Sequence, residues 1–384
     1  MKILLATDFY VPVINGVVMS VLNLKRGLES RGHEVRILTL SQTMRSFDEG
    51  GVTYVGSAGF GLLYPEARVR MMYGRNIVRA LAQWRPDIVH TQCEFSTFPI
   101  ARRIAELLDV PIIHTYHTVY ESYTHYFSPS KKLGRIIAKA VSRRVIDQAS
   151  CVIAPTEKVR AVLNGYGITQ TIHVLPTGID MSRFAAEPPA ARLWALRHRL
   201  GIPDGDRVLL YVGRLAKEKN VQELLRYHAK YRPTGVTLLI VGDGPFRPAL
   251  ERMVTDLLIE DSVAFAGEVA QEDVPDYYHL GDLFVSASVS EAQGLTYAEA
   301  VAAGLPVLCR MDPGLEGLIP EGSSGWFYRD EADYLVKLQF FLSTGDTELS
   351  LVTDQADDAR LALSYQSFAA GAERIYLDLL GASR

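Results

Sequence analysis

The feature that most constrains this chain is a rhythm that runs along it twice. Short β-branched or leucine-rich runs alternate with longer segments of helical period: KILLAT, a helix over about Val17 to Arg31, EVRILTL, DIVHT, a helix over about Phe95 to Leu108, PIIHT and CVIAP. Strands separated by helices pair in parallel. After LPTGID the rhythm restarts with RVLLYVG, a helix over about Val221 to Lys230, VTLLIVG, a helix near Arg247 to Leu258, VAFAG, LFVSAS, a helix over about Thr296 to Ala303, and PVLCR. Two doubly wound α/β lobes follow. Pro and Gly between Pro176 and Asp180 interrupt both periods, which places the boundary there and divides the chain into 1–178 and 179–364. A last helix over about Tyr365 to Leu380 is free to close either lobe, and in one arrangement the stretch 365–384 joins the first. Open parallel sheets bind ligands beyond the carboxyl ends of their strands, so the expected site is a cleft between facing lobes.

The 384 residues suit two domains, and a composition 48% apolar and 22% charged, without biased tracts, excludes a disordered chain. Cys93, Cys151 and Cys309 lie far apart with no CxxC pair, so neither a disulfide framework nor a zinc knuckle is indicated and a reducing cytosol fits. The opening apolar run is short for a signal peptide, and no segment reaches the roughly 20 apolar residues of a membrane span. Membrane contact is therefore expected to be peripheral. Residues 1–178 hold 21 Lys and Arg against 13 Asp and Glu, leaving 19 against 31 for the remainder. A basic half beside an acidic one suggests an anionic partner, and the want of interleaved aromatics or a nucleic-acid motif argues against DNA or RNA.

YVGRLAKEKN ends a strand in Gly213 and sets Arg214 and Lys219 ahead of a helix. Two cations there suit a diphosphate, the guanidinium forking two oxygens and the ammonium acting as a point charge; the alternative is a solvated turn. In DFYVPVINGVVMS, Asn15-Gly16 precedes a helix, where a glycine lets backbone N–H groups approach an anion or simply turns the chain. SEAQGLTYAEA carries Glu291 and Glu299 around Gly294. On one continuous helix these acids would stand about 12 Å apart along the axis, too far to serve one atom. If Gly294 turns a loop into a helix, each acid meets a different part of one ligand. An acid early in a helix is also simply stabilising, a reading that takes Glu299 more readily than Glu291. HTYHT sets His114 and His117 three apart, yet no third ligand follows with metal-site spacing, so no metal is expected.

In their order and spacing, EAQGLTYAE followed by AVAAGLPVL, VGRLAKEKN, LIVGDGP, FAGEV, PTGID and VINGV resemble the retaining glycosyltransferases of family 4, over essentially the whole chain. The resemblance implies the α/β GT-B fold, with two facing Rossmann-like doubly wound domains and the active site in the inter-domain cleft. By it Arg214 and Lys219 hold the donor diphosphate, Glu299 the ribose hydroxyls, and Glu291 the transferred sugar, with Ala292, Gln293, Gly294 and Leu295 beside it. Gly16 lines the phosphate pocket, and the base rests near Gly242, Gly244 and Pro245 and near Gly267, Glu268 and Val269. His117 faces the donor sugar and Glu94 lies on the acceptor side. Ala292-Gln293 replaces a Gly-Phe pair frequent in the family, and Gln293 can itself hydrogen-bond a hexose hydroxyl. The implied reaction moves a hexose from a nucleotide diphosphate with retention. Its oxocarbenium-like transition state needs cations on the leaving group, so His117, Glu291, Arg214 and Lys219 form the catalytic set without metal or other cofactor. Same-face attack and a carboxylate nucleophile both stay open.

The acceptor is sought in the first lobe. KKLGRIIAKAVSRRVID, plotted as a helix, gathers Lys131, Lys132, Arg135, Lys139 and Arg143 on one side and Leu133, Ile136, Ile137, Ala140 and Val141 on another. The stretch Arg68 to Arg85 adds Arg70, Arg75 and Arg79, with Met71, Met72 and Trp84, and no acid. Such a pattern suits a membrane interface, or else a helix packed on its own sheet with its charges solvated. HTQCEFS and PIIHTYHTVYESYTHYF resemble the bacterial diacylglycerol glucosyltransferases, which make α-glucosyl diacylglycerol from UDP-glucose. Tyr116, Tyr120, Tyr123 and Tyr126 suit an amphipathic acceptor, or the core and rim of the lobe. The resulting expectation is glucose transfer from UDP-glucose to 1,2-diacylglycerol by a cytoplasmic protein, peripheral on the inner face of the cell membrane. Its rivals are a GDP-mannose-dependent phosphatidylinositol mannosyltransferase, a transferase with a soluble acceptor, a nucleotide-sugar 2-epimerase and a noncatalytic nucleotide-sugar binder.

Overall fold

The computed structural model describes residues 1–13, 15–59, 68–71, 75–126, 128, 130–319, 322, 324–344 and 363–382. Met72 and the side chains of Tyr126 and Lys131 lie outside the described residues. In chain order the elements are β1 (Lys2–Ala6), α1 (Gly16–Ser30), β2 (Glu34–Leu40), β3 (Phe47–Glu49), β4 (Val52–Val55), β5 (Ser57–Gly59), β6 (Arg68–Arg70), α2 (Arg75–Trp84), β7 (Ile88–Thr91), α3 (Phe98–Leu108), β8 (Ile112–Thr115), α4 (Lys131–Ile146), β9 (Cys151–Ala154), α5 (Glu157–Gly165) and β10 (Thr171–Val174). They continue with α6 (Met181–Ala185), α7 (Ala190–Arg199), β11 (Arg207–Val212), α8 (Val221–Tyr231), β12 (Val236–Val241), α9 (Arg247–Asp256), β13 (Val263–Gly267), α10 (Val274–Leu280), β14 (Leu283–Ser286), α11 (Leu295–Ala302), β15 (Val307–Arg310), β16 (Gly325–Tyr328), α12 (Glu331–Ser343) and α13 (Tyr365–Ala382). The chain divides into two compact units, Met1–Ile179 with Ser364–Arg384, and Asp180–Leu363.

The first unit is built on a sheet of order β10-β9-β8-β7-β1-β2-β4-β3, parallel except where β3 pairs with β4. Its central strands are buried along nearly their whole length, which is why they read as unbroken apolar runs rather than alternating ones. The second sheet, β13-β12-β11-β14-β15-β16, is parallel throughout. Chain order reverses between β11 and β14, the position at which loops from neighbouring strands diverge and leave a crevice for a ligand. The short edge strands β3 to β6 carry no clear alternation, and the rhythm did not mark them. Helix α3 begins at Phe98 rather than near Phe95. Pro99 occupies its first turn, and the Asp8 carboxylate holds the preceding loop by accepting from Ser96 N at 3.0 Å and from Thr97 N and Oγ1 at 2.7 Å.

Helix α13 belongs to the first unit. Phe368, Ala369, Ala372, Ile375 and Tyr376 share a core with Ile3, Leu5, Val21 and Leu24. It comes so close to α1 that a Cβ on Gly27 would stand 2.5 Å from that of Ala369. Tyr376 is hydrogen-bonded through its hydroxyl to His90 Nδ1 at 2.7 Å. The two crossings between units lie side by side: Ile179 and Ser364 form a parallel bridge, and Tyr365 N donates to the Ile179 carbonyl at 2.9 Å.

Candidate active site

In the second unit the site grows from the carboxyl ends of β11, β12, β13 and β14. Gly213 closes β11 and Gly242 closes β12, and a Cβ on Gly242 would meet the Gly213 carbonyl at 2.1 Å. The loops after them run back to back, with Leu215 N donating to the Asp243 carbonyl at 2.8 Å and Phe246 N to that of Leu215 at 2.9 Å. Gly244 is packed as tightly, its Cβ position lying 2.4 Å from the Leu215 carbonyl. Only glycine fits these places. Gly242 N also donates to the Gly267 carbonyl at 2.8 Å, which adds the loop of Glu268 and Val269 to the same group.

The two cations have acidic partners. Lys219 Nζ lies 2.7 Å from Glu291 Oε1, joining the loop after β11 to the loop after β14. Arg214 pairs with Glu218, a partner within the same loop that the sequence reading passed over. Asp312 accepts from the backbone N of Glu291 at 3.3 Å and of Gly314 at 2.7 Å, so the loop bearing Glu291 is fixed from beyond β15. Gln293 is buried in that loop and Ala292 half-buried. Gly294 then turns the chain into α11 at φ +80°. No side chain caps this helix, whose first-turn N–H groups are the kind that receive an anion. Glu299 sits on α11 and accepts from the Tyr278 hydroxyl at 2.8 Å. Burial pushes its carboxyl up to about 7, against the Tyr278 hydrogen bond and the charge of Arg183.

Gly294→Ala is expected to be strongly destabilising. Its Cβ would fall 2.5 Å from Leu315 Cδ2 and 2.8 Å from Tyr297, on a backbone that L-residues resist. The strain alone is worth about 1–2 kcal/mol, and a lower urea midpoint at unchanged m is the measurement that checks it.

In the first unit the corresponding strand ends belong to β1, β7 and β8. Asn15 caps α1 by accepting from Val18 N at 3.0 Å, and Gly16 opens that helix exposed. Glu94 follows β7 with its side chain only 5% exposed, between the Tyr120 hydroxyl at 2.5 Å and His114 Nε2 at 3.4 Å. His114 is hydrogen-bonded to Thr91 through Nδ1 at 2.8 Å. His117 Nε2 pairs with Gln92 Oε1 at 2.7 Å. Burial lowers the His117 pKa to about 4, opposed by the charge of Glu94, so its imidazole is neutral at pH 7. Tyr116 is wholly buried, its hydroxyl 2.8 Å from Ser142 on α4, which places it among the core side chains. Tyr120 is half-buried and stands edge-on to the exposed Phe95.

Helix α4 rests on neither of the faces that its hydropathy pattern distinguishes. It is seated by a third, small-residue face of Gly134, Ala138 and Ser142, continued by Val145 and Ile146. A Cβ on Gly134 would lie 2.6 Å from Thr124, so the helix hugs the 3-10 turn Tyr120–Tyr126. The apolar stripe is left outside, with Leu133 48%, Ile136 65% and Ile137 38% exposed. Lys132, Arg135 and Arg143 stand exposed beside it, Arg135 within 3.4 Å of Glu121, and the half-buried Lys139 reaches the Gly165 carbonyl at 3.4 Å. On α2, Arg75 and Arg79 with Arg85 and Arg103 flank a groove of about 930 Å³ floored by Val78 and Leu107.

Two parallel doubly wound units with phosphate-type loops at their strand ends define a GT-B glycosyltransferase. Anabaena HepE, solved with UDP and glucose, is similar in fold at a TM-score of 0.75, covering 98% of this chain and 100% of that one at 19% identity. Two family models match, Glycosyltransferase Family 4 over residues 14–183 and Glycosyl transferases group 1 over residues 194–350. Alpha-monoglucosyldiacylglycerol synthase of Streptococcus pneumoniae is 34% identical over 99% of this chain and 86% of its own length. The synthase of the same name from Acholeplasma laidlawii is 28% identical over 99% of this chain and 98% of its own. The chain belongs to glycosyltransferase family 4 and is a hexosyltransferase. The epimerase and noncatalytic readings of the sequence fall away.

Proposed function

We propose that this enzyme transfers glucose from UDP-glucose to the free hydroxyl of 1,2-diacylglycerol, giving α-glucosyl diacylglycerol at a membrane surface. The observation that carries the acceptor is the likeness, along nearly the whole chain, to synthases named for that product. The exposed apolar stripe of α4, rimmed by cations, supports action at an anionic bilayer on the cytoplasmic side.

The donor chemistry is assigned to the second unit. Arg214 and Lys219 take the diphosphate, and the uncapped start of α11 adds backbone N–H groups. The base lies against the backbone of the Gly242 and Gly267 loops, and Glu299 accepts from the ribose diol. As the glycosidic bond breaks, negative charge gathers on the departing phosphate, where the two cations stabilise it without a cofactor. The acceptor hydroxyl bonds to the anomeric carbon on the face the phosphate leaves, and its proton passes to that phosphate. Glu291 binds the sugar and holds Lys219 in place. In the first unit Glu94 and Tyr120 serve the acceptor side. His117, neutral and held by Gln92, offers a hydrogen bond rather than a charge to the sugar.

The test supplies purified protein with anionic vesicles containing diacylglycerol and, separately, labelled UDP-glucose, UDP-galactose or GDP-mannose. Label is expected in the lipid phase from UDP-glucose. Label passing instead from GDP-mannose, or only to a soluble acceptor, would overturn the donor or the acceptor while leaving the family intact.

A further inference from the structure

The short helix α6 packs against α10 and α11, the two helices that frame Glu299. Phe184 stands edge-on to Tyr278 with ring centroids 5.6 Å apart, and His279 Nε2 is 2.8 Å from the Phe184 carbonyl. These contacts fix the neighbouring Arg183, whose positive charge is felt at Glu299. One terminal nitrogen of its guanidinium, Nη2, is sealed from solvent with no acceptor among the described residues. Burying a charged donor unpaired is costly, and a native fold that does so calls for a functional reason. Glu299 meanwhile gives Oε2 to Tyr278.

We propose that Arg183 is a positioning residue of the donor site, its charge holding Glu299 as a carboxylate aimed at the vicinal hydroxyls of a nucleotide ribose. This rests on the assignment of Glu299 to the ribose made above. An ionised carboxylate accepts from both hydroxyls of a diol, whereas the acid gives part of that capacity to its own proton. Glu299 needs the help, because burial alone drives it toward the acid at neutral pH. The groups facing it are the Tyr278 hydroxyl from α10 and the Arg183 guanidinium from α6; His279, next along α10, is turned to the Phe184 carbonyl. Removing the guanidinium therefore raises the pH at which Glu299 ionises. Donor binding weakens near pH 7 and recovers in alkali.

Calorimetric titration of UDP across the neutral range, with Arg183→Met, Arg183→Lys and Glu299→Gln beside the parent protein, tests this. Parent affinity should fall about tenfold per pH unit below a midpoint near 7. Arg183→Met should move that midpoint up by about one unit, costing roughly tenfold in affinity at pH 7 but little at high pH. Arg183→Lys should restore it. A midpoint unmoved in Arg183→Met, or a loss equal at every pH, overturns the proposal and leaves Arg183 a packing residue. Glu299→Gln binding UDP as the parent does, at every pH, would instead remove Glu299 from the ribose.

Discussion

Replacing Lys219 with alanine is expected to cut turnover by roughly two to three orders of magnitude, the usual loss when one preorganised stabiliser of transition-state charge is removed. The residue is held for the purpose. It closes the 3-10 turn Lys217–Lys219 at the end of β11, and its partner Glu291 is nearly covered, the two side chains 20% and 11% exposed. Alanine also strands the Glu291 carboxylate, and an unpaired, largely buried charge is destabilising in its own right. Glu291→Gln separates the two effects, since it leaves the ammonium on the diphosphate while deleting the acid. Retained UDP binding with lost turnover is expected of Glu291→Gln, and weakened UDP binding with lost turnover of Lys219→Ala. The double variant should fall well short of the sum of the singles, because each single breaks the same pair. Turnover within threefold of the parent in Lys219→Ala would take the leaving-group role from it.

The contrast between Lys219 and its partners shows what a sequence can carry. Gly213, Arg214, Lys219 and Gly242 are legible because glycine at a strand end followed by cations is a local pattern with a local cause. The pairing of Lys219 with Glu291, seventy-two positions on, depends on β11 and β14 becoming neighbours. Asp312 acts through backbone N–H groups, which no residue pattern announces. Tyr278 and Arg183 reach Glu299 from other helices. The strands themselves were easy to read, since Leu4 and Leu5 in β1 and Leu238 to Val241 in β12 are buried along both faces and leave continuous apolar runs. Helix α4 was harder. Its hydropathy distinguishes cations from aliphatics, yet the face that seats it is made of Gly134, Ala138 and Ser142, to which hydropathy gives little weight.

The second large effect concerns that helix. Changing Lys132, Arg135, Lys139 and Arg143 to glutamine is expected to cost about 4 kcal/mol of binding to anionic vesicles, at about 1 kcal/mol for each cation near the surface. That is roughly a thousand-fold in partitioning at low salt, with little loss when the salt already screens the parent. Leu133→Ser with Ile136→Ser should weaken binding by a further amount that salt does not erase, since those side chains are exposed and their burial in the interface is apolar. UDP affinity should be unchanged in both, as neither set belongs to the donor loops. Sedimentation equal to the parent in the glutamine variant would sink the membrane assignment of α4.

The return of α13 to the first unit bears on how the polypeptide is made. Its residues Phe368 to Tyr376 complete a core whose other buried members lie between Ile3 and Ile153, with all of Asp180–Leu363 intervening. On the ribosome the second unit has its whole sequence before the first does, and it is the unit able to finish folding earlier. Ile3, Leu5 and Leu24 wait for part of their cover until the last codons have been translated.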